Sequence, residues 1–285
     1  MLPTFIIGLR EGLEAALIVG IVAAFLAQQG RRDALRQVWI GVVLAVVICI
    51  AVGVGLDQLS KDLPQKQQEG LETVIGLVAV GFVTYMVVWM RRHSRDLKGD
   101  LEGHAAAALA DGSAKALVAM AFLAVLLEGF ETSVFLLATF QHSTSKGAGG
   151  FGAVAGIAVA LVIGFLIYRG GLRINLSRFF RATGVVLVVI AAGLVMLAFR
   201  TAHEAGWVTF GQARAVDLTW LVRPGTPVSS LLTGVLGLLP EPTVIEVVGY
   251  VAYLVPMLFL VLRPAASRPV PVVEAPTRAP ADVTA

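Results

Sequence analysis

The stretch Leu9-Arg10-Glu11-Gly12-Leu13-Glu14-Ala15-Ala16-Leu17-Ile18-Val19-Gly20 places one arginine and two glutamates inside a run otherwise apolar enough to cross a bilayer. A charged side chain near the centre of a membrane helix costs about 2.5 to 3.5 kcal/mol on insertion scales. Charges retained against that cost imply a cation, a proton path or a buried ion pair. Four residues forming the same pattern return far along the chain, as Glu128-Gly129-Phe130-Glu131.

The surrounding composition is that of a polytopic membrane protein. Of 285 residues, 57% are hydrophobic and 14% charged, and the mean hydropathy is +0.84. Seven segments reach the roughly 20 apolar residues a spanning helix needs: 4–27, 37–59, 70–90, 116–140, 150–168, 181–200 and 244–262. The expected fold is therefore all-α, with seven transmembrane helices. The net charge of +3 does not point to nucleic acid, because the bases sit in short loops between apolar runs. Fifteen Lys and Arg fall after the first, third, fifth and seventh segments and five fall on the other side. By the positive-inside rule the N-terminus is expected outside and the C-terminus in the cytoplasm.

This organisation predicts one membrane domain over 1–263, built from a first three-helix unit (1–90) and a second (116–200). An outer loop (201–243) and a seventh helix (244–262) complete it. The two acidic motifs lie three spans apart, so their helices run in opposite directions. Segments 1–3 and 4–6 then read as an inverted-topology repeat, an arrangement that places ion sites near the midplane. Within the outer loop, 228–239 is too short to cross and is expected at the interface. The tail 264–285, rich in Pro and Ala, is expected to be disordered. The single cysteine, Cys49, excludes a disulfide framework and a thiolate metal site.

Residues three apart share a helix face. Glu11 and Glu14 therefore offer one two-carboxylate face and Glu128 and Glu131 another. Helix rise puts Glu14 and Glu128 near the midplane and Glu11 and Glu131 about 5 Å further out, so two stacked carboxylate layers are expected. The motif glycines are expected to let the two helices approach closely. Carboxylates suit hard cations, and the scattered methionines form no soft-ligand cluster. A further Glu69-Gly70-Leu71-Glu72, with Asp57 and Asp62 nearby, would concentrate cations at the outer mouth. His203, Glu204, Glu246, Tyr250 and Tyr253 are further candidates for lining that mouth. Arg10 alone cannot neutralise four acids.

Arg10-Glu11-Gly12-Leu13-Glu14 in a first span, a second embedded EG-x-E in the fourth and an EG opening the third resemble the oxidase-dependent iron permeases. That family includes the fungal high-affinity ferric permease and the bacterial EfeU-type protein. The resemblance implies a permease rather than an enzyme, with Glu11, Glu14, Glu128 and Glu131 handling iron. Arg10 would support the first motif, and Glu69 and Glu72 would assist from outside. It also implies no resident cofactor, iron as the transported substrate, and a multi-pass place in the bacterial cytoplasmic membrane. Iron would enter in the ferric state after oxidation by a partner, an extracytoplasmic peroxidase or oxidase acting with an iron-binding lipoprotein. The chain departs from the pattern at Leu127, where the second motif usually begins with arginine, a change that bears on metal preference because related proteins handle lead. Manganese or lead carriage is the alternative reading. A lipid-pyrophosphate phosphatase also uses embedded acidic motifs but needs Ser- and Arg-rich phosphate-gripping loops beside them. Neither motif here has one.

Overall fold

In the computed structural model, the described residues are 1–28, 30, 32–93, 114–141, 146–169, 176–220, 222, 232–233 and 236–263. The expected disordered tail, the bulk of the basic loops at 94–113 and 170–175, and residues 223–231 lie outside them. Seven long helices account for most of the rest: α1 (Leu2–Gln28), α2 (Arg32–Asp62), α3 (Gln65–His93), α4 (Ala114–Gln141), α5 (Lys146–Tyr168), α6 (Leu176–Glu204) and α7 (Val244–Leu262). Among the described residues the only β pairing is an isolated bridge between Arg214 and Thr243.

The first six helices are longer than the apolar segments that predict them, α5 at its start only, because the backbone ladder continues past the apolar run. Six helices, α2 to α7, are long and apolar enough to cross a membrane. The chain is thus a multi-pass membrane protein. α1 has the length, at 27 residues, but Arg10, Glu11 and Glu14 lower its apolar count. Its charged face is covered by protein instead of lipid.

The bundle is held by a few dominant helix pairs: α1 with α5, α2 with α4, α3 with α6, α6 with α7, and α1 with α4. One core joins Ile7 of α1, Ile75 to Val87 of α3, Val134 to Ala138 of α4, Leu187 to Val195 of α6, and Met257 and Val261 of α7. A second joins Val19, Val22 and Leu26 of α1 to Val38 and Ala45 of α2 and Ala121 and Val125 of α4. Outward faces of α2, α5 and α7 carry exposed Ile, Val, Leu and Phe, the surface expected where the solvent is lipid.

Small residues set the closest approaches. Along α1 and α5, Gly8 faces Ala153, Gly12 faces Ala160, and Gly164 faces Ala16. Gly156 lies on the Phe5 backbone. This is small-residue packing repeated every four positions, which brings backbones together where no hydrophobic gradient drives association. The α2–α4 seam is built likewise, with Gly129 against Cys49 and Gly53 against Ser133.

The segment after α6 departs from a purely interfacial loop. Leu236 and Gly237 pack on Gly193 of α6, and Leu239 is buried. Gly193 lies eleven residues before the α6 terminus, about 16 Å along the axis. The chain therefore turns back into the bundle. Gly237 has φ 65°, a left-handed conformation that glycine adopts without steric cost.

Candidate functional site

The two acidic motifs meet where α1 and α4 pack. Glu11, Glu128 and Glu131 each present a carboxylate oxygen, and these three oxygens lie within 4.8 Å of one another. Glu11 and Glu128 are within hydrogen-bonding reach of each other. Glu11 is 2% and Glu14 6% exposed, while Glu128 and Glu131 are part-buried. The two-layer arrangement expected from helix rise is replaced by one three-carboxylate group drawn from both heights, with Glu14 beside it. Helix rise alone does not see rotation: the turn of each helix about its axis aims Glu11 at the face that Glu128 and Glu131 share.

Arg10 lies against the acids of the first motif. It is 1% exposed, with Nη1 donating to Glu11 Oε1 at 3.0 Å. Nη2 stands 3.1 Å from Glu14 Oε1, an ion pair by distance without hydrogen-bond alignment. Arginine before glutamate is the weaker order on an exposed helix. Burial overrides that preference, because an unpaired guanidinium inside the bundle is far costlier.

The pairing is incomplete. Among the described residues, Glu11 Oε2, Glu14 Oε1, Glu128 Oε2, Glu131 Oε2 and Arg10 Nε are buried without a hydrogen-bond partner. Buried polar atoms are nearly always paired. Three of these oxygens belong to carboxylates that meet at one place, an acceptor-rich set, and a cation is the chemistry that completes it. The residues fit a hard cation in donor type, number and spacing.

The motif glycines do not bring α1 and α4 together. Gly12 faces Ala160 of α5, and Gly129 faces Cys49 of α2. Each lets its helix seat against a third helix, so that the acidic face turns toward its counterpart. The signal for this was present as Gly8-x3-Gly12-x3-Ala16 and Gly152-x3-Gly156-x3-Ala160-x3-Gly164, spacings that mark a helix seam. Ser133 extends it, donating to the Cys49 carbonyl at 3.1 Å.

Glu69 and Glu72 lie outside the three-carboxylate group. They sit in the first turns of α3, where Gln68 Nε2 donates to Glu72 Oε1 at 3.2 Å. Glu69 neighbours Glu72 and is a hydrogen-bond partner of Glu204 at the end of α6. Thr73 and Thr201 bind each other one turn further in, at 2.7 Å. Trp207 packs on Gly70. The α3 start and the α6 end thus make a distinct acidic patch.

His203, Asp57, Glu246 and Tyr253 have structural partners. His203 Nδ1 contacts the Val208 carbonyl at 2.7 Å and closes a turn. Asp57 pairs with Lys61 at 2.5 Å. Glu246 accepts from the Thr243 backbone N–H at 2.9 Å, capping α7. Tyr253 and Thr84 share a hydroxyl hydrogen bond of 2.9 Å.

The iron permease FTR1 family profile matches residues 1–267. The chain is 43% identical over 266 residues to the ferrous iron permease EfeU of Yersinia pestis, covering 93% of this chain and 94% of that one. It is 40% identical over 266 residues to the ferrous iron permease EfeU of Escherichia coli O6:H1 (93% and 96% covered), and 40% identical over 260 residues to that of Shigella sonnei (90% and 94% covered). No solved structure matches. With both acidic motifs embedded in helices and the match running from the first residue to beyond α7, the chain belongs to the iron permease FTR1 family.

Proposed function

We propose that this chain imports iron across the bacterial cytoplasmic membrane along a glutamate-lined route between α1 and α4, and that it acts as a permease and not as an enzyme. One observation carries the reading: the oxygens of Glu11, Glu128 and Glu131 converge within 4.8 Å while one oxygen of each remains unpartnered. An iron ion leaving water loses its hydration shell, and oxygen donors must replace it. Carboxylates on two helices do so where a lipid-facing path offers nothing.

Iron is the cargo in the names of the relatives, which are called ferrous iron permeases. In this proposal a partner, an extracytoplasmic peroxidase or oxidase working with an iron-binding lipoprotein, oxidises the ion first. The ferric ion is then the species held, matched by four acids against one arginine. The acidic patch of Glu69, Glu72 and Glu204 collects cations at the outer end of α3, and Glu14 receives the ion from the three-carboxylate group.

The orientation, N-terminus outside and C-terminus in the cytoplasm, rests on the distribution of Lys and Arg. An inverted repeat is supported by the helix pairs. Exchanging α1 with α4, α2 with α5 and α3 with α6 turns the α1–α5 pair into the α2–α4 pair and leaves α1–α4 and α3–α6 unchanged.

The test is uptake of radioactive iron into proteoliposomes, with ferrous and ferric arms and with or without an added oxidase. Glu11→Ala and Glu128→Ala, inserted at wild-type levels, are expected to lower the rate by about 100-fold, as loss of a buried charged ligand implies. Uptake at the wild-type rate in both variants rules out this route. Uptake of ferrous ion without oxidase, unchanged by its addition, removes the oxidation step.

A further inference from the structure

The two copies of the motif carry the same acids but not the same base. In α1, Arg10 precedes Glu11 and lies one turn before Glu14. In α4, the corresponding position before Glu128 and one turn before Glu131 is Leu127, 63% exposed on the outside of the bundle. The acids are arranged accordingly. Glu14, with Arg10 Nη2 at 3.1 Å, stands outside the three-carboxylate group, and Glu131, which has no arginine one turn before it, stands inside.

This asymmetry has a consequence for any cation that enters. Glu11 belongs to the three-carboxylate group and is also bound to Arg10 Nη1 at 3.0 Å. An ion held there shares Glu11 with a fixed guanidinium. To move on to Glu14 it must take that carboxylate from the same guanidinium, whose Nε already lacks a partner. The competitor is tethered, buried, and carries one diffuse positive charge. A compact multivalent ion outcompetes it for carboxylate oxygens; a monovalent ion does not.

Building on the iron-import reading, we propose that Arg10 is a built-in counter-ion competing with the cargo for Glu11 and Glu14, and that Leu127 leaves Glu131 without an arginine on its own helix, so that it completes the cation's cage. Affinity and the discrimination against monovalent ions are then set by one arginine serving two motifs. Two changes are expected to act in opposite directions. Arg10→Gln removes the competitor, so multivalent ions bind more tightly and sodium begins to compete. Leu127→Arg adds a competitor one turn from Glu131, so binding weakens.

The experiment is equilibrium binding of manganous ion, followed by its electron paramagnetic resonance signal, to the full purified chain in detergent. Wild type, Arg10→Gln, Arg10→Lys and Leu127→Arg are compared at low and high sodium, using variants that elute as a single peak. Arg10→Gln is expected to lower Kd by about tenfold or more, as removal of one nearby unit charge implies. Its Kd is expected to rise with sodium while that of the wild type does not. Arg10→Lys, a point charge unable to bridge both acids, is expected to fall between. Leu127→Arg is expected to raise Kd by about tenfold. The proposal requires both shifts, and wild-type affinity in either variant overturns it. If Arg10→Gln does not fold, Arg10→Lys takes its place under the same criterion. A wild-type chain that binds no manganous ion and transports no iron removes the import reading; one that does both with no shift in the variants removes this inference alone.

Discussion

Gly12 of α1 faces Ala160 of α5 so closely that a methyl group on the glycine would stand 3.0 Å from the alanine Cβ. The middle of the acidic motif is thus a packing surface, and its flanking glutamates point elsewhere because Gly12 is pressed against α5. The neighbouring contact is tighter still, since a methyl group on Gly156 would run into the Phe5 carbonyl oxygen and the Leu9 N–H, both backbone. Gly156→Ala should therefore destabilise the protein by about 1 to 3 kcal/mol, the cost of overpacking, and displace Glu11 with α1. Gly12→Ala meets the Ala160 methyl at 3.0 Å and the Ile157 Cα at 3.4 Å, a looser fit, and should cost less. Thermal unfolding of the two variants in detergent gives the order, and equal melting temperatures would contradict it.

Thr73 and Thr201 join α3 to α6 through a buried hydroxyl pair at 2.7 Å. Each hydroxyl also reaches a carbonyl of its own helix, Thr73 that of Glu69 and Thr201 that of Leu197. Replacing either threonine by valine should cost about 0.5 to 1.5 kcal/mol. The double variant should cost less than the two singles added together, because no half-pair is left behind. A double-mutant cycle on unfolding free energy measures this, and strict additivity would mean the hydroxyls do not interact.

Gly237 holds the returning segment against Gly193 in a left-handed conformation. Gly237→Ala combines an unfavourable backbone with a clash against α6 and should release Leu236 to Leu239 from the bundle. A cysteine at position 239, tested in a Cys49→Ala background, is expected to resist a membrane-impermeant thiol reagent in the parent. It should react at least about tenfold faster once Gly237 is replaced, as a local opening worth some 1.4 kcal/mol implies. Equal labelling in both would show that the packing at Gly193 does not shield the segment.

Glu69 stands apart from the three-carboxylate group, beside Glu204 and Glu72. An acidic patch of this kind raises the local cation concentration without ligating the ion at the narrow point, so Glu69→Gln should raise the KM for iron by about two- to tenfold and leave the maximal rate unchanged. The effect should fade as ionic strength rises, because exposed charges are screened. Initial uptake rates at two salt concentrations provide the check. A fall in maximal rate at both would instead place Glu69 among the groups that hold the ion.

Hydropathy and charge spacing were enough to read an all-helical membrane bundle from this chain, because a bilayer dictates helix length and exacts a cost for each embedded charge. The same logic picked out Arg10, Glu11, Glu14, Glu128 and Glu131 as residues that need a reason to be where they are. Rotation and pairing were not legible. Rise per residue predicts heights along an axis, yet Glu11 turns toward the face shared by Glu128 and Glu131 through contacts that Gly12 and Gly129 make with α5 and α2, far away in sequence. Nor did the short apolar run 228–239 declare that its end folds back on Gly193, since that depends on space left open beside α6. The sequence by itself determined which charges are buried, a matter of composition within a span. Only the tertiary structure decided which of them face one another, because helix rotation is set by close packing among several helices at once.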